Sequence, residues 1–131
     1  GDLHTVLLKT DGTAWAVGGN AQGQLGDRTA IDRHVPISVL AGVAAASAGG
    51  NHTVFLKRDG TAWVVGANGR GQLGNGNTAN LHTPVSVLAD VAAASAGGDH
   101  TVFLKTDGTA WAVGGNSHGQ LGDGNAANLH T

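Results

Sequence analysis

Seven histidines in 131 residues are the first feature of the sequence that invites chemistry. Imidazole titrates near neutrality and is a common transition-metal ligand. Six of the seven fall into two registers spaced by 48 residues, His4, His52 and His100 in one and His34, His82 and His130 in the other, with His118 alone. A zinc ion needs three or four ligands converging to about 2 Å, and residues repeated once per structural unit lie a whole unit apart. The spacing predicts no metal site and no cofactor. It predicts histidines that bond backbone at unit junctions in the first register, and exposed histidines in the second.

Other catalytic chemistries find even less support. The sequence has no glutamate, and Asp11, Asp59 and Asp107 each precede a glycine, where turn formation accounts for them. A glycosidase pair needs one carboxyl with a raised pKa, and no residue that would raise it is visible. Ser47 and Ser95 belong to a repeated small-residue segment with no strained elbow to present a nucleophile. Glycine-rich loops such as GGNSHGQLGDGN lack the Lys-Ser/Thr ending of a phosphate loop, and the Asp and Asn residues keep no calcium-loop spacing. Trp15, Trp63 and Trp111 have the faces to stack on sugar rings, but each lies inside an apolar strand and reads as core. The sequence predicts a protein that is not an enzyme.

Composition narrows the partners. Glycine supplies 23 residues, and charged residues make up only 12%, against about 25% in an ordinary domain. The glycines recur at fixed places beside apolar residues, so they read as turn positions and not as a linker. A net charge of -2 without a Lys or Arg cluster offers no footprint for nucleic acid or an anionic membrane. Cysteine is absent, which removes disulfides and thiolate chemistry. No apolar run approaches the roughly 20 residues of a membrane-spanning helix.

The elements that hold these residues follow from the repeat. Residues 49–83 and 97–131 agree at 27 of 35 positions, with no insertion between copies. Such copies share architecture before anything else. HTVFLK alternates as a strand, Asp-Gly predicts a type I′ hairpin turn, and TAWAVG runs back. PVSVL (PISVL in the first copy) reads as a third strand with its proline at the start, where a missing N–H is tolerated. VAAASA reads as a fourth; its small side chains suit the innermost position, and six residues make a poor isolated helix. Val54 and Leu56 point to one face and Phe55 to the other, so both faces need neighbours. Four short strands per 48 residues is the size of a propeller blade. The expected fold class is all-β, about 2.7 blades of four-stranded antiparallel sheet, in one array with repeats near 1–48, 49–96 and a truncated 97–131.

The string GGDHTVFLKTDGTAWAVGGNSHGQLGDG, Gly97 to Gly124, resembles the RCC1 (regulator of chromosome condensation) repeat, with its G-x-H-T entry, Asp-Gly hairpin, tryptophan strand and GQLG loop. The resemblance covers the whole chain and implies a propeller, usually of seven blades. Seven 48-residue units make roughly 340 residues, so 131 residues do not close such a ring alone. The expectation is a natural fragment, a designed piece or one subunit of an assembly. The alanine-rich style is similar to bacterial members, which favours the outside or surface of a bacterial cell. Neither a GTPase-facing insertion nor a basic tail is present, so nucleotide exchange is not carried over.

Positions that vary in a copied repeat are where specificity is written. Gln22, Arg70 and His118 share one variable register, and Leu3, Asn51 and Asp99 share another. Gln22, Arg70, His118, Asn51 and Asp99 are the expected partner-contact positions. The leading expectation is a noncatalytic scaffold that binds another protein or copies of itself, as ring or filament. A carbohydrate-binding propeller with glycan ligands is the alternative, and a guanine-nucleotide exchange factor by family analogy the third reading.

Overall fold

The computed structural model describes residues 3–115, and among them every regular element is a strand. The ten strands are β1 (His4–Leu8), β2 (Ala14–Gly18), β3 (Arg33–Leu40), β4 (Val43–Ala48), β5 (His52–Lys57), β6 (Ala62–Gly66), β7 (Leu81–Leu88), β8 (Val91–Ala96), β9 (His100–Lys105) and β10 (Ala110–Gly114). They form three antiparallel sheets, ordered β1-β2-β3, β4-β5-β6-β7 and β8-β9-β10. Only the second is a complete four-stranded blade among the described residues.

The hairpins differ from the expected turn. A type I′ turn needs positive φ at both central residues, but in the first hairpin Gly12 alone has it, at +86°. Gly12 N donates to Lys9 O at 3.0 Å and Lys9 N to Thr13 O at 2.9 Å, a three-residue loop closed by a left-handed glycine. The aspartate decides this geometry. Asp11 Oδ1 accepts from Thr13 N at 2.9 Å and from Thr13 Oγ1 at 2.6 Å, which rewards the wider loop. The same bonds recur at Asp59–Thr61 and Asp107–Thr109.

The proline strand also starts earlier than expected. β3 and β7 begin three residues before Pro36 and Pro84, and the ladder slips there, between Ala16 and Gly18 on β2 and between Val64 and Gly66 on β6. An irregularity on an outer strand absorbs the missing N–H. VAAASA, in turn, is hydrogen-bonded to the following copy: β4 pairs with β5 and β8 with β9. These alanine strands converge, β4 lying against β8 and β1. Gly50 N donates to Gly97 O at 3.1 Å, and a Cβ on Gly50 would stand 2.7 Å from Gly98 O. Only glycine permits that approach.

The core lies between sheets. Ala14, Val43, Phe55 and Val65 form the first junction, with Val6, Val39 and Trp63 against them. Val54, Leu56, Val64, Leu73, Val91, Phe103 and Val113 form the second. β5 thus buries Phe55 backwards and Val54 and Leu56 forwards, as a strand with two apolar faces must.

Candidate functional site

His4 and His52 sit inside these junctions, each bonded to a threonine side chain of the next sheet. His4 Nε2 meets Thr53 Oγ1 at 2.8 Å, and Thr53 Oγ1 donates to Gln24 O at 2.7 Å. His52 Nε2 meets Thr101 Oγ1 at 2.9 Å, and Thr101 Oγ1 donates to Gln72 O at 2.6 Å. A hydroxyl has one proton, and here it goes to the carbonyl. The histidine must therefore donate from Nε2, which places the lone pair of the neutral ring on Nδ1. For His52 no hydrogen-bond partner for that atom lies within reach among the described residues.

This geometry keeps His52 neutral. Burial, then the facing charges of His4 and His100, push its pKa down to about 4, with a small opposing effect from the His100 backbone. A base so depressed is a poor proton acceptor at neutral pH, and His52 is fully buried. It ties one sheet to the next through Thr101.

The GQLG loop is organised from within by an asparagine. Asn20 is fully buried; its Nδ2 donates to Asp27 Oδ1 at 2.9 Å and to the carbonyls of Thr29 and Ile31 at 3.0 Å, while Oδ1 accepts from Leu25 N at 3.0 Å. Asn68 repeats the pattern with Asn75, Asn77, Ala79 and Leu73. In the first copy the network is ionic: Arg33 Nε lies 2.8 Å from Asp27 Oδ2. Burial pushes the Asp27 pKa up, but bonds from Thr29, Arg33 and Asn20 outweigh it and hold the carboxyl at about 2. In the second copy Asn75 and Leu81 replace Asp27 and Arg33, and the loop is held without charge. These loops spend their polar groups on themselves, which leaves little to cradle a phosphate. Sequence reasoning did not single out Asn20, Asn68, Thr53 or Thr101. The available signal was their 48-residue period.

The variable registers meet on one face. Arg70 and Asp99, both exposed, approach to 3.7 Å across the second junction. Gln22 and Asn51 hold the same places one repeat earlier; Gln22 accepts from Asn80 Nδ2 at 2.6 Å, and Asn51 lies 3.5 Å from Gln24 Nε2. Of the four expected contact positions that are described, Arg70 and Asp99 approach each other, while Gln22 and Asn51 contact Asn80 and Gln24 instead. His118 lies outside the described residues, as does His130, while His34 and His82 are exposed as expected. No group of three metal-ligating side chains occurs among the described residues.

The tryptophans are engaged at both edge and face. Trp15 Nε1 donates to Thr13 Oγ1 at 2.8 Å, and Lys9 Nζ stands 4.4 Å from its ring centre. Trp63 with Thr61 and Lys57, and Trp111 with Thr109 and Lys105, repeat the arrangement. A ring capped by an ammonium and with its N–H committed is poorly placed to stack on sugar.

The family model of the regulator of chromosome condensation (RCC1) repeat matches residues 11–56 and 59–104, and a second RCC1 repeat model matches 43–72 and 91–120. The chain belongs to the RCC1 repeat family. Solved RCC1-type propellers superpose closely. Prp20p from Saccharomyces cerevisiae gives a TM-score of 0.90 at 19% identity, covering 100% of this chain and 36% of that one. Yeast RCC1 (Prp20) bound to Kap60 gives 0.88 at 18%, covering 100% and 34%. Human WBSCR16 gives 0.85 at 21%, covering 98% and 36%. This chain spans about a third of each. No curated protein sequence matches it. The all-β propeller architecture is thus shared, with three consecutive sheets of the RCC1 kind.

Proposed function

We propose that this RCC1-repeat chain is a noncatalytic scaffold that binds protein, copies of itself included, through the sheet faces that its own repeats leave uncovered. The observation that carries the reading is a contrast between equivalent positions. Phe55 and Phe103 are buried against the preceding sheet, whereas Leu7, in the same register, is 45% exposed on β1. Ala14 and Ala62 are fully buried in the two junctions, whereas Ala110, in the same register on β10, is exposed. Thr53 and Thr101 are buried and receive a histidine; Thr5 is exposed. Among the described residues, the back of the first sheet and the front of the third expose the two halves of one kind of junction, and head-to-tail contact of copies through them makes rings if rotation closes and filaments if it does not.

Protein partners also fit the relatives: Prp20 is described bound to Kap60 and in its binding to Gsp1p and histones. The sugar-binding alternative gains nothing from tryptophans already capped by lysine and threonine. Light scattering over a hundredfold dilution series tests the proposal. Particle mass is expected to rise with concentration, and a monodisperse monomer with cooperative unfolding at every concentration sinks it.

A further inference from the structure

The inner end of the second junction, between the middle sheet and the third, is held by three hydrogen-bonded crossings. Gly50 N donates to Gly97 O at 3.1 Å, and Ala96 N donates to Ser47 Oγ at 3.0 Å. The third crossing joins His52 Nε2 to Thr101 Oγ1 at 2.9 Å, and the threonine hydroxyl donates to Gln72 O at 2.6 Å. One of the three therefore runs through a titratable side chain.

The surroundings of that imidazole suit only its neutral form. His52 is fully buried. A Cβ on Gly49 would stand 2.5 Å from His52 Cε1 and 2.7 Å from Nδ1, so this side of the ring packs directly on glycine backbone. No hydrogen-bond partner for Nδ1 lies within reach among the described residues. A proton taken up there makes an N–H without an acceptor and a cation sealed from solvent. Both penalties vanish once the sheets part.

The elements packed around His52 bring no compensating anion. β4 and β8 carry only valine, alanine and serine, and Gly66 is its partner on β6. The titratable groups that face it are His4 from the first sheet and His100 from the third, and both disfavour a charged ring. The His100 backbone opposes them more weakly than burial and these charges act. Arg70 and Asp99, the charged pair of this junction, are exposed and lie 3.7 Å from each other.

We propose that the second junction is an acid-opened clasp, in which proton uptake at His52 Nδ1 is coupled to separation of the third sheet from the middle one while each sheet keeps its own ladder. Opening bares the apolar faces that the junction buries, Val54, Leu56 and Val64 on one side and Phe103 and Val113 on the other. The device goes beyond the scaffold reading, because it does not depend on what the scaffold binds. In the closed junction His52 holds its proton only near pH 4, against 6.5 when free. The open form therefore binds more protons between those values. Opening becomes easier as pH falls through 6.5, by about thirtyfold at pH 5 and toward a limit of about three hundredfold below pH 4.

Amide exchange of the intact chain, read by NMR from pH 7.5 to pH 4 and corrected for intrinsic rates, tests the clasp. The Gly50 and Ala96 amides report the junction because their bonds cross it, whereas the ladder amides of β5 and β6 report unfolding of the sheet itself. Opening at Gly50 and Ala96 is expected to rise about thirtyfold between pH 7.5 and pH 5, with the ladder amides better protected at both. Imidazole nitrogen shifts are expected to show His52 as the Nε2–H tautomer at pH 7.5. His52→Gln keeps a donor at the place of Nε2 and takes up no proton, so its rise is expected to stay below about threefold. Opening that is independent of pH, an undiminished rise in His52→Gln, or Gly50 and Ala96 exchanging only together with the ladder amides overturns the proposal. So does a protonated His52 in a chain whose Gly50 and Ala96 amides keep their pH 7.5 protection, a result read on the parent chain alone if His52→Gln fails to fold.

Discussion

At the residue scale, the histidine that first suggested chemistry serves as a junction pin, and two measurements follow. Thr101→Val leaves His52 Nε2–H buried without its acceptor and Gln72 O without its donor. An unsatisfied buried polar group costs about 1–3 kcal/mol, so the unfolding free energy from urea denaturation is expected to fall by that amount at pH 7. The second concerns pH. His52 titrates at about 4 in the folded chain against 6.5 for a free side chain, so between those values the unfolded state binds more protons. Stability is therefore intact above about pH 6.5 and is lost as pH falls toward 4, at a little over 1 kcal/mol per pH unit at the steepest. His52→Gln is expected to be less stable at pH 7 yet to show a flatter decline. Subtracting its pH profile from the parent's removes the contribution of the other histidines, and an unchanged slope contradicts the assignment.

At the element scale, the hairpin glycines separate backbone strain from packing. Gly108 has φ +87° and open space where a Cβ would go, while Gly98 has the same open space and no left-handed φ. Gly108→Ala is therefore expected to destabilise by about 1–2 kcal/mol through conformation alone. Gly98→Ala is expected to be neutral or to stabilise by up to about 1 kcal/mol, by restricting the unfolded chain. Thermal unfolding of the pair checks both signs. Strand identity was legible at this scale because alternation, Asp-Gly pairs and a 48-residue period all agree. The turn type was not, because the Asp11 carboxylate's bonds to Thr13 select the wider loop, and a dipeptide rule sees only the backbone preference. Nor was the attachment of VAAASA to the next sheet, since an alanine strand carries no large side chain to mark which neighbour it joins. The variable positions were legible only as places where the copies differ. That Arg70 approaches Asp99 depends on how consecutive sheets stack.

At the scale of the whole molecule, the described sheets pack in a row, each mainly against its neighbours, so stability is close to a sum of sheet and junction contributions. Among the described residues the middle sheet has a junction on both sides, and the outer two have one each. Opening free energy should therefore be graded along the chain, and amide exchange reads it directly. In dilute solution β5 and β6 are expected to exchange slowest, with β1, β2, β9 and β10 faster. Concentration supplies the decisive comparison, because association protects only what it covers. If heads dock on tails, raising the concentration slows exchange in β1 and β9, where Leu7 and Leu104 are exposed, and leaves β5 unchanged. If copies instead meet at the variable loop face, the slowing falls on the segments around Arg70 and Asp99, and the exposed strands keep their dilute rates. Slowing spread evenly over all ten strands means that the array unfolds as one unit, which contradicts the row of semi-independent sheets.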